Sequence, residues 1–228
     1  MMWCPIYEGK LSIPLQISYV FIKGSEILAI EALVKGAILG FVIAAPVGPI
    51  GILCIRRTLA HGRWIGFVSG LGAATADGLY GLMAALGLTA LTSFLIEQLN
   101  ILQALGGLFL CYLAVNIIRA PAVHEPVVSD GSYAWRAYGS TFALTLTNPM
   151  TILSFIGIFS GLALPDAHLL LVIGVVIGSA LWWFVLSLLA SMMQARLNTK
   201  GIRYINYASG CILLLFGFYS LLTTTWIK

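Results

Sequence analysis

The chain has 228 residues, 60% of them hydrophobic and 9% charged, with 12 Lys and Arg against 8 Asp and Glu for a formal charge of +4. A soluble domain carries about 25% charged residues, so this chain has too little charge to cover a water-exposed surface, and its apolar content excludes disorder. No basic patch is interleaved with aromatics, which excludes nucleic-acid binding. The class that remains is an all-α integral membrane protein, because helices satisfy their own backbone in lipid.

Residues 1–27 hold Pro5, Glu8, Lys10 and Pro14 and never build a long apolar run. They lack a charged start followed by a compact apolar block and an Ala-x-Ala site, so they fit a signal peptide poorly. A loose or interfacial N-terminal extension is expected there. A spanning helix needs roughly 20 mostly apolar residues. Six stretches qualify: Ile30–Ile55, Trp64–Thr92, Leu99–Ile118, Ala137–Leu162, Leu169–Met193 and Tyr204–Thr225.

Span one contains Ala45-Pro46-Val47-Gly48-Pro49-Ile50. Proline inside a helix removes one donor and displaces the carbonyl four residues earlier. Two prolines flanking Val47-Gly48 therefore interrupt span one and leave the carbonyls near Phe41 to Ala45 in need of partners. Span two carries Asp77, the one acidic residue deep in a span, after Gly70, Gly72, Ala73, Ala74 and Ala76. A carboxylate at the bilayer centre costs about 2.5–3.5 kcal/mol on insertion scales. The small neighbours let another helix approach closely, so Asp77 is expected to face the bundle. It is read there as a proton carrier, a partner for a cationic group, or a hydrogen bonder to the broken backbone of span one.

Residues 119–136 hold Pro121, Pro126, Asp130 and Gly131 and read as a flexible linker between two halves, 28–118 and 137–228. Span four repeats the feature of span one: Thr147-Asn148-Pro149-Met150-Thr151-Ile152-Leu153 aligns Pro149 with Pro49 and Ile152-Leu153 with Ile52-Leu53. Asn148 adds an amide with donors and an acceptor. Span five carries Trp182-Trp183 at mid-depth, read as packing or as the lining of a pathway. Glycines four apart, including Gly36/Gly40, Gly157/Gly161 and Gly174/Gly178, read as helix-packing faces. The four cysteines form no CxxC or Cys/His metal spacing, and Cys54, Cys111 and Cys211 are expected to be small buried hydrophobes.

Six spans place Arg56, Arg57, Arg63, Arg119, Arg136, Arg196, Lys200 and Arg203 on one face, and Lys10, Lys23, Lys35 and Lys228 on the other. The face richer in Lys and Arg is expected to be cytoplasmic, with both termini outside. Three spans per half invert the second half relative to the first. This is an architecture of secondary transporters, and two broken helices at corresponding positions point to the substrate site. The N-termini of the half-helices would offer N–H donors and a positive dipole end to an amino-acid carboxylate. Pro46, Gly48, Pro49, Gly72, Asp77, Thr147, Asn148, Pro149 and Thr151 are the candidate substrate-binding or coupling residues.

As a set, Ala45-Pro46-Val47-Gly48-Pro49, the Arg56-Arg57 pair, Gly66 through Gly70-Leu71-Gly72 to Asp77, Gly106-Gly107 and Asn148-Pro149 resemble the lysine exporter (LysE/RhtB) family of amino-acid efflux proteins. The resemblance runs from about Leu28 to the C-terminus. It implies a bacterial inner-membrane exporter of amino acids with six spans in two inverted triplets, and no enzyme. Members often carry Pro-Gly-Pro followed by Asn in span one. Here Val47 is inserted and Ile50 stands where that Asn would be. The expected function is amino-acid export by alternating access coupled to the proton gradient, with no cofactor, in a lipid bilayer, and with small-residue faces that suit a homodimer. Efflux of another small solute, such as a metal or organic cation, is the alternative. Divalent metals call for several carboxylates or His in the spans, and a thiol carrier would need a second Cys where Ser154 aligns with Cys54.

Overall fold

The computed structural model describes residues 12–86, 93–94, 96–120, 131–160, 168–194 and 199–224. Eight long helices form among them: α1 (Ser12–Ala44), α2 (Pro49–His61), α3 (Arg63–Ala85), α4 (Leu99–Arg119), α5 (Gly131–Leu146), α6 (Pro149–Ser160), α7 (His168–Gln194) and α8 (Thr199–Thr224). The second part of the N-terminal extension is helical and continuous with α1 from Ser12 onward. Residues 1–11 and most of the linker (121–130) lie outside the described residues, and Gly131–Arg136, read as linker from sequence, form the first turns of α5.

The two breaks fall where the prolines put them. Pro49 and Pro149 are each the first residue of a new helix, a position that needs no backbone N–H and suits the fixed φ of proline. The first break is four residues long, Ala45 to Gly48, and the second is two, Thr147 and Asn148. One expectation about the freed carbonyls is corrected. The Phe41 carbonyl still accepts a hydrogen bond from the Ala45 N–H at 3.0 Å, because Pro46 and not Ala45 is the first residue without a donor.

No basic loop separates spans one and two. α2 continues through Arg56 and Arg57 to His61, and a single residue, Gly62, turns the chain into α3. Gly62 has φ 87° and ψ 164°, a conformation open essentially to glycine. Both arginines are consequently buried, at 9% and 6% exposure.

The strongest packing pairs α1 with α7, α3 with α5, α3 with α7, and α4 with α8. Glycine sets the first of these. A Cβ on Gly36 or Gly40 would run into the backbone of α7 at Leu171 or Val175, and one on Gly174 or Gly178 into the α1 backbone at Leu33 or Ala37. Such close approach gives van der Waals association where lipid offers no hydrophobic drive. Gly157 has open space around its Cβ position, so it is no packing glycine, and Gly161 lies outside the described residues.

The outside of the bundle is apolar: Ile30, Val34, Ile38 and Val42 of α1 and Leu181, Phe184, Leu188 and Met192 of α7 are exposed. Lys35 is exposed on the same helix and pairs with Glu31 at 2.6 Å. Among the described residues, four segments are long and apolar enough to cross a membrane: Glu26–Ala44, Leu99–Arg119, Leu169–Met193 and Lys200–Thr224. α5 and α6 are two pieces of one interrupted stretch, and α3 is rich in Gly and Ala around Asp77. Of the three described cysteines, Cys54 alone is buried; Cys111 is partly exposed and Cys211 exposed.

Candidate functional site

A cavity of about 620 Å³ lies between the two breaks. It is lined by Ala44, Pro46, Val47, Gly48, Pro49, Ile50 and Gly51 around the first break and by Leu144, Thr145, Thr147, Asn148, Pro149, Met150 and Thr151 around the second. α3 contributes Ala73 and Asp77, α7 contributes Trp183, and the adjoining ends of α4 and α8 contribute Leu99, Gln103, Phe216, Tyr219 and Thr223. The walls are mostly apolar, and Asp77 is the one charged side chain among these residues.

Asp77 is 3% exposed. Its Oδ2 accepts a hydrogen bond from Ser179 Oγ of α7 at 2.7 Å, and Trp183 Nε1 donates to the same Ser179 oxygen at 3.2 Å. The carboxylate is thus held by α7 and not by the broken backbone of span one. No basic side chain is among these partners, which leaves the carboxylate's charge without a fixed counterion in the cavity wall. The tryptophan pair divides its roles. Trp183 lines the cavity, whereas Trp182 packs edge-on against Phe41 with ring centroids 5.3 Å apart.

The two half-helix starts differ. At α6, Asn148 Oδ1 accepts the Met150 N–H at 3.1 Å, and the Asn148 carbonyl accepts the Thr151 N–H at 3.1 Å. Pro149 has no N–H, so Asn148 caps this end itself, and what remains of its side chain is the amide NH₂. At α2, the N-cap residue Gly48 has no side chain to donate an acceptor, and the first capping bond runs from the Ile52 N–H to the Gly48 carbonyl at 3.1 Å. Among the described residues the Ile50 and Gly51 N–H groups therefore have no capping partner at the cavity wall. Both ends carry the positive pole of a helix dipole, but the α2 end is the one with donors to spare.

The break in the second half has a further support. Tyr80 Oη donates to the Leu146 carbonyl at 2.7 Å, and the ring packs beside Phe155 at 5.6 Å. Leu146 would have bonded the N–H of residue 150 in an unbroken helix, and that N–H has gone to Asn148.

The candidates read from sequence are thus placed as follows. Pro46, Gly48, Pro49, Asp77, Thr147, Asn148, Pro149 and Thr151 line one cavity. Gly72 does not: a Cβ there would meet the Tyr138 carbonyl of α5, so its work is close helix packing. Trp183, of the pair read as packing or as the lining of a pathway, lines the cavity, whereas Gln103, Thr145, Ser179, Tyr219 and Thr223 have no signal for this site in the sequence. Single polar or aromatic residues on apolar helices carry no spacing signal, and only the packing of α4, α7 and α8 brings them to the breaks.

A bundle with an apolar exterior and a cavity built on two interrupted helices fits a multi-pass membrane transporter. The LysE type translocator family matches residues 41–224, and the chain belongs to it. A Bacillus subtilis (strain 168) protein named for amino acid efflux, YcgF, is 32% identical over 194 residues, covering 80% of this chain and 91% of that protein. The membrane protein YahN of Escherichia coli (strain K12) is 29% identical over 153 residues, 62% of this chain and 67% of its own. The leucine efflux protein of Salmonella choleraesuis (strain SC-B67) is 29% identical over 125 residues, 52% of this chain and 57% of its own. No solved structure matches the chain.

Proposed function

We propose that the chain exports amino acids from the cytoplasm by alternating access, coupled to the proton gradient. The observation that carries this is one cavity in which both helix breaks and the buried Asp77 carboxylate meet. The substrate ammonium sits against Asp77, its carboxylate against the spare Ile50 and Gly51 N–H groups at the start of α2, and the Asn148 amide beside it. The apolar wall of Ile50, Leu99, Leu144, Met150 and Phe216 receives an uncharged side chain. A second cationic group on the substrate would find no second anion there. The relatives' names, amino acid efflux and leucine efflux, agree with this chemistry.

The moving parts are the two inverted three-helix halves, 28–118 and 137–228, joined by 119–136. Their packing supports that reading. Exchanging the halves converts the α1–α7 contact into the α5–α3 contact, and maps α3–α7 and α4–α8 onto themselves. The protein sits in the bacterial inner membrane with its basic end in the cytoplasm and both termini outside. The cavity then faces outward, because its lining comes from the first turns of α4 and the last turns of α8. The protonation state of Asp77 couples export to the gradient.

Cells fed dipeptides, with and without the protein, test this by the release of every amino acid into the medium. Faster appearance of one or a few neutral amino acids is the expected result. No change for any amino acid, with the protein present in the membrane, would overturn it. That outcome would favour the alternative of an organic cation, which the same carboxylate and apolar wall would suit.

A further inference from the structure

The end of the bundle opposite the cavity is closed by a polar cluster built on Arg57. This guanidinium is buried, and its Nη1 donates to Ser69 Oγ at 2.6 Å, Thr141 Oγ1 at 2.7 Å and the Ala137 carbonyl at 2.9 Å. Its Nη2 donates to Ser140 Oγ at 2.6 Å. Ser69 and Thr141 are themselves 2.7 Å apart through their oxygens. Beside it, Arg56 Nε donates to Asn206 Oδ1 of α8 at 3.3 Å. α2 and α3 of the first half are thereby tied to α5 and α8 of the second.

The position and the chemistry both point to a gate. Ser69 lies eight residues before Asp77 on α3, about 12 Å along the helix. Thr141 lies one turn before Thr145, which lines the cavity. The cluster is therefore the floor beneath the cavity on the arginine side. Its acceptors are all neutral: hydroxyls and a carbonyl, with no carboxylate among them. Breaking a buried ion pair strands an uncompensated charge. A guanidinium on neutral oxygens can exchange them for water as the floor parts, and the α5 hydroxyls it leaves, Ser140 and Thr141, are uncharged and can take water in its place.

We propose that Arg57 is the latch of the basic end: transport requires its guanidinium to leave Ser140 and Thr141 so that the cavity opens on the arginine side. The proposal rests on the transport reading above, but its test does not need a known substrate. Ser154 lines the cavity, so Ser154→Cys, in a chain whose native cysteines are replaced, reports access by a membrane-impermeant maleimide. The reagent is applied to right-side-out and inside-out membrane vesicles. With Arg57 present, labelling is expected predominantly from the face opposite the arginines. Arg57→Gln is expected to raise labelling from the arginine face roughly tenfold by shifting the population toward the open floor. Thr141→Val, which removes an acceptor and keeps the volume, moves it in the same direction by less.

Unchanged one-sided labelling in both variants overturns the latch. So does loss of labelling from both faces, which marks Arg57 and Thr141 as structural only. Absence of amino-acid export from the unsubstituted protein, with the expected labelling shift intact, refutes the amino-acid reading and leaves the latch standing.

Discussion

Replacing Asp77 by Asn isolates the charge from the geometry. The amide keeps nearly the same volume, and its oxygen can still accept the Ser179 hydroxyl that now sits 2.7 Å from Oδ2. What is lost is the negative charge facing the cavity. A hydrogen bond to a charged group is worth about 1.5–3 kcal/mol, against about 0.5–1.5 for a neutral one. If the ammonium loses its charged partner altogether, the deficit of about 1.5–3 kcal/mol corresponds to a roughly ten- to 150-fold weaker substrate interaction. Residual neutral hydrogen bonding pulls the loss toward the lower figure. The assay is amino-acid release from dipeptide-fed cells at matched protein levels in the membrane, with detergent-solubilised thermal stability as the folding control. Asp77→Asn is expected to insert and melt like the parent while export falls roughly tenfold. Ser179→Ala, which removes the hydroxyl that orients the carboxylate, is expected to fall less. Export by Asp77→Asn at the parent rate would refute the assignment of Asp77 to substrate or proton.

Other positions give expectations that follow directly from their surroundings. Gly40→Leu forces a side chain into the α7 backbone at Val175, beyond the 1–3 kcal/mol typical of about one or two extra methylenes in a packed core; it should lower the melting temperature strongly, whereas Gly157→Leu, in open space, should not. Tyr80→Phe leaves the Leu146 carbonyl without its donor; the expected destabilisation is about 1–3 kcal/mol, read as a lower midpoint in detergent, and an unchanged midpoint would show that water or lipid headgroups replace the phenol. Burial, reinforced by Arg56 and Arg57, holds His61 down at about 4. Since the unfolded histidine titrates near 6.5, the unfolded chain binds the extra proton between these values, and stability falls as pH drops through that window. His61→Gln should flatten this part of the pH–stability curve in detergent, and an undiminished slope would assign it to another group.

Much of the architecture is legible along the chain because its causes are local. Low charge and apolar runs near the length of a bilayer fix a helical membrane protein. A proline takes one donor out of a helix wherever it stands, so Pro49 and Pro149 each begin a new helix at the residue the sequence marks. The spacing of Gly36 with Gly40 and of Gly174 with Gly178 places each pair on one face of its helix, and a close-packing role follows from the absent side chain.

What the chain order does not contain is which faces meet. Arg56 and Arg57 read as a basic loop because nothing local stops a helix from ending before them; the tertiary structure carries α2 on to His61 and buries both, Arg57 among hydroxyls from α3 and α5 and Arg56 against the Asn206 amide of α8. Gly72 is the immediate neighbour of Ala73, which lines the cavity, yet the helical turn sends Gly72 to the α5 backbone, while Asp77 on the same helix meets Ser179. The two helix starts have nearly the same proline motif, but their capping separates them: Asn148 closes its own, and Gly48 leaves donors at the other. Sequence determines where a helix must break and which residues avoid lipid, since both are properties of one segment. Pairing a buried charge or carbonyl with its partner joins residues far apart in the chain, such as Asp77 with Ser179, Arg56 with Asn206 or Tyr80 with Leu146, and only the packing of the helices brings them within hydrogen-bond distance.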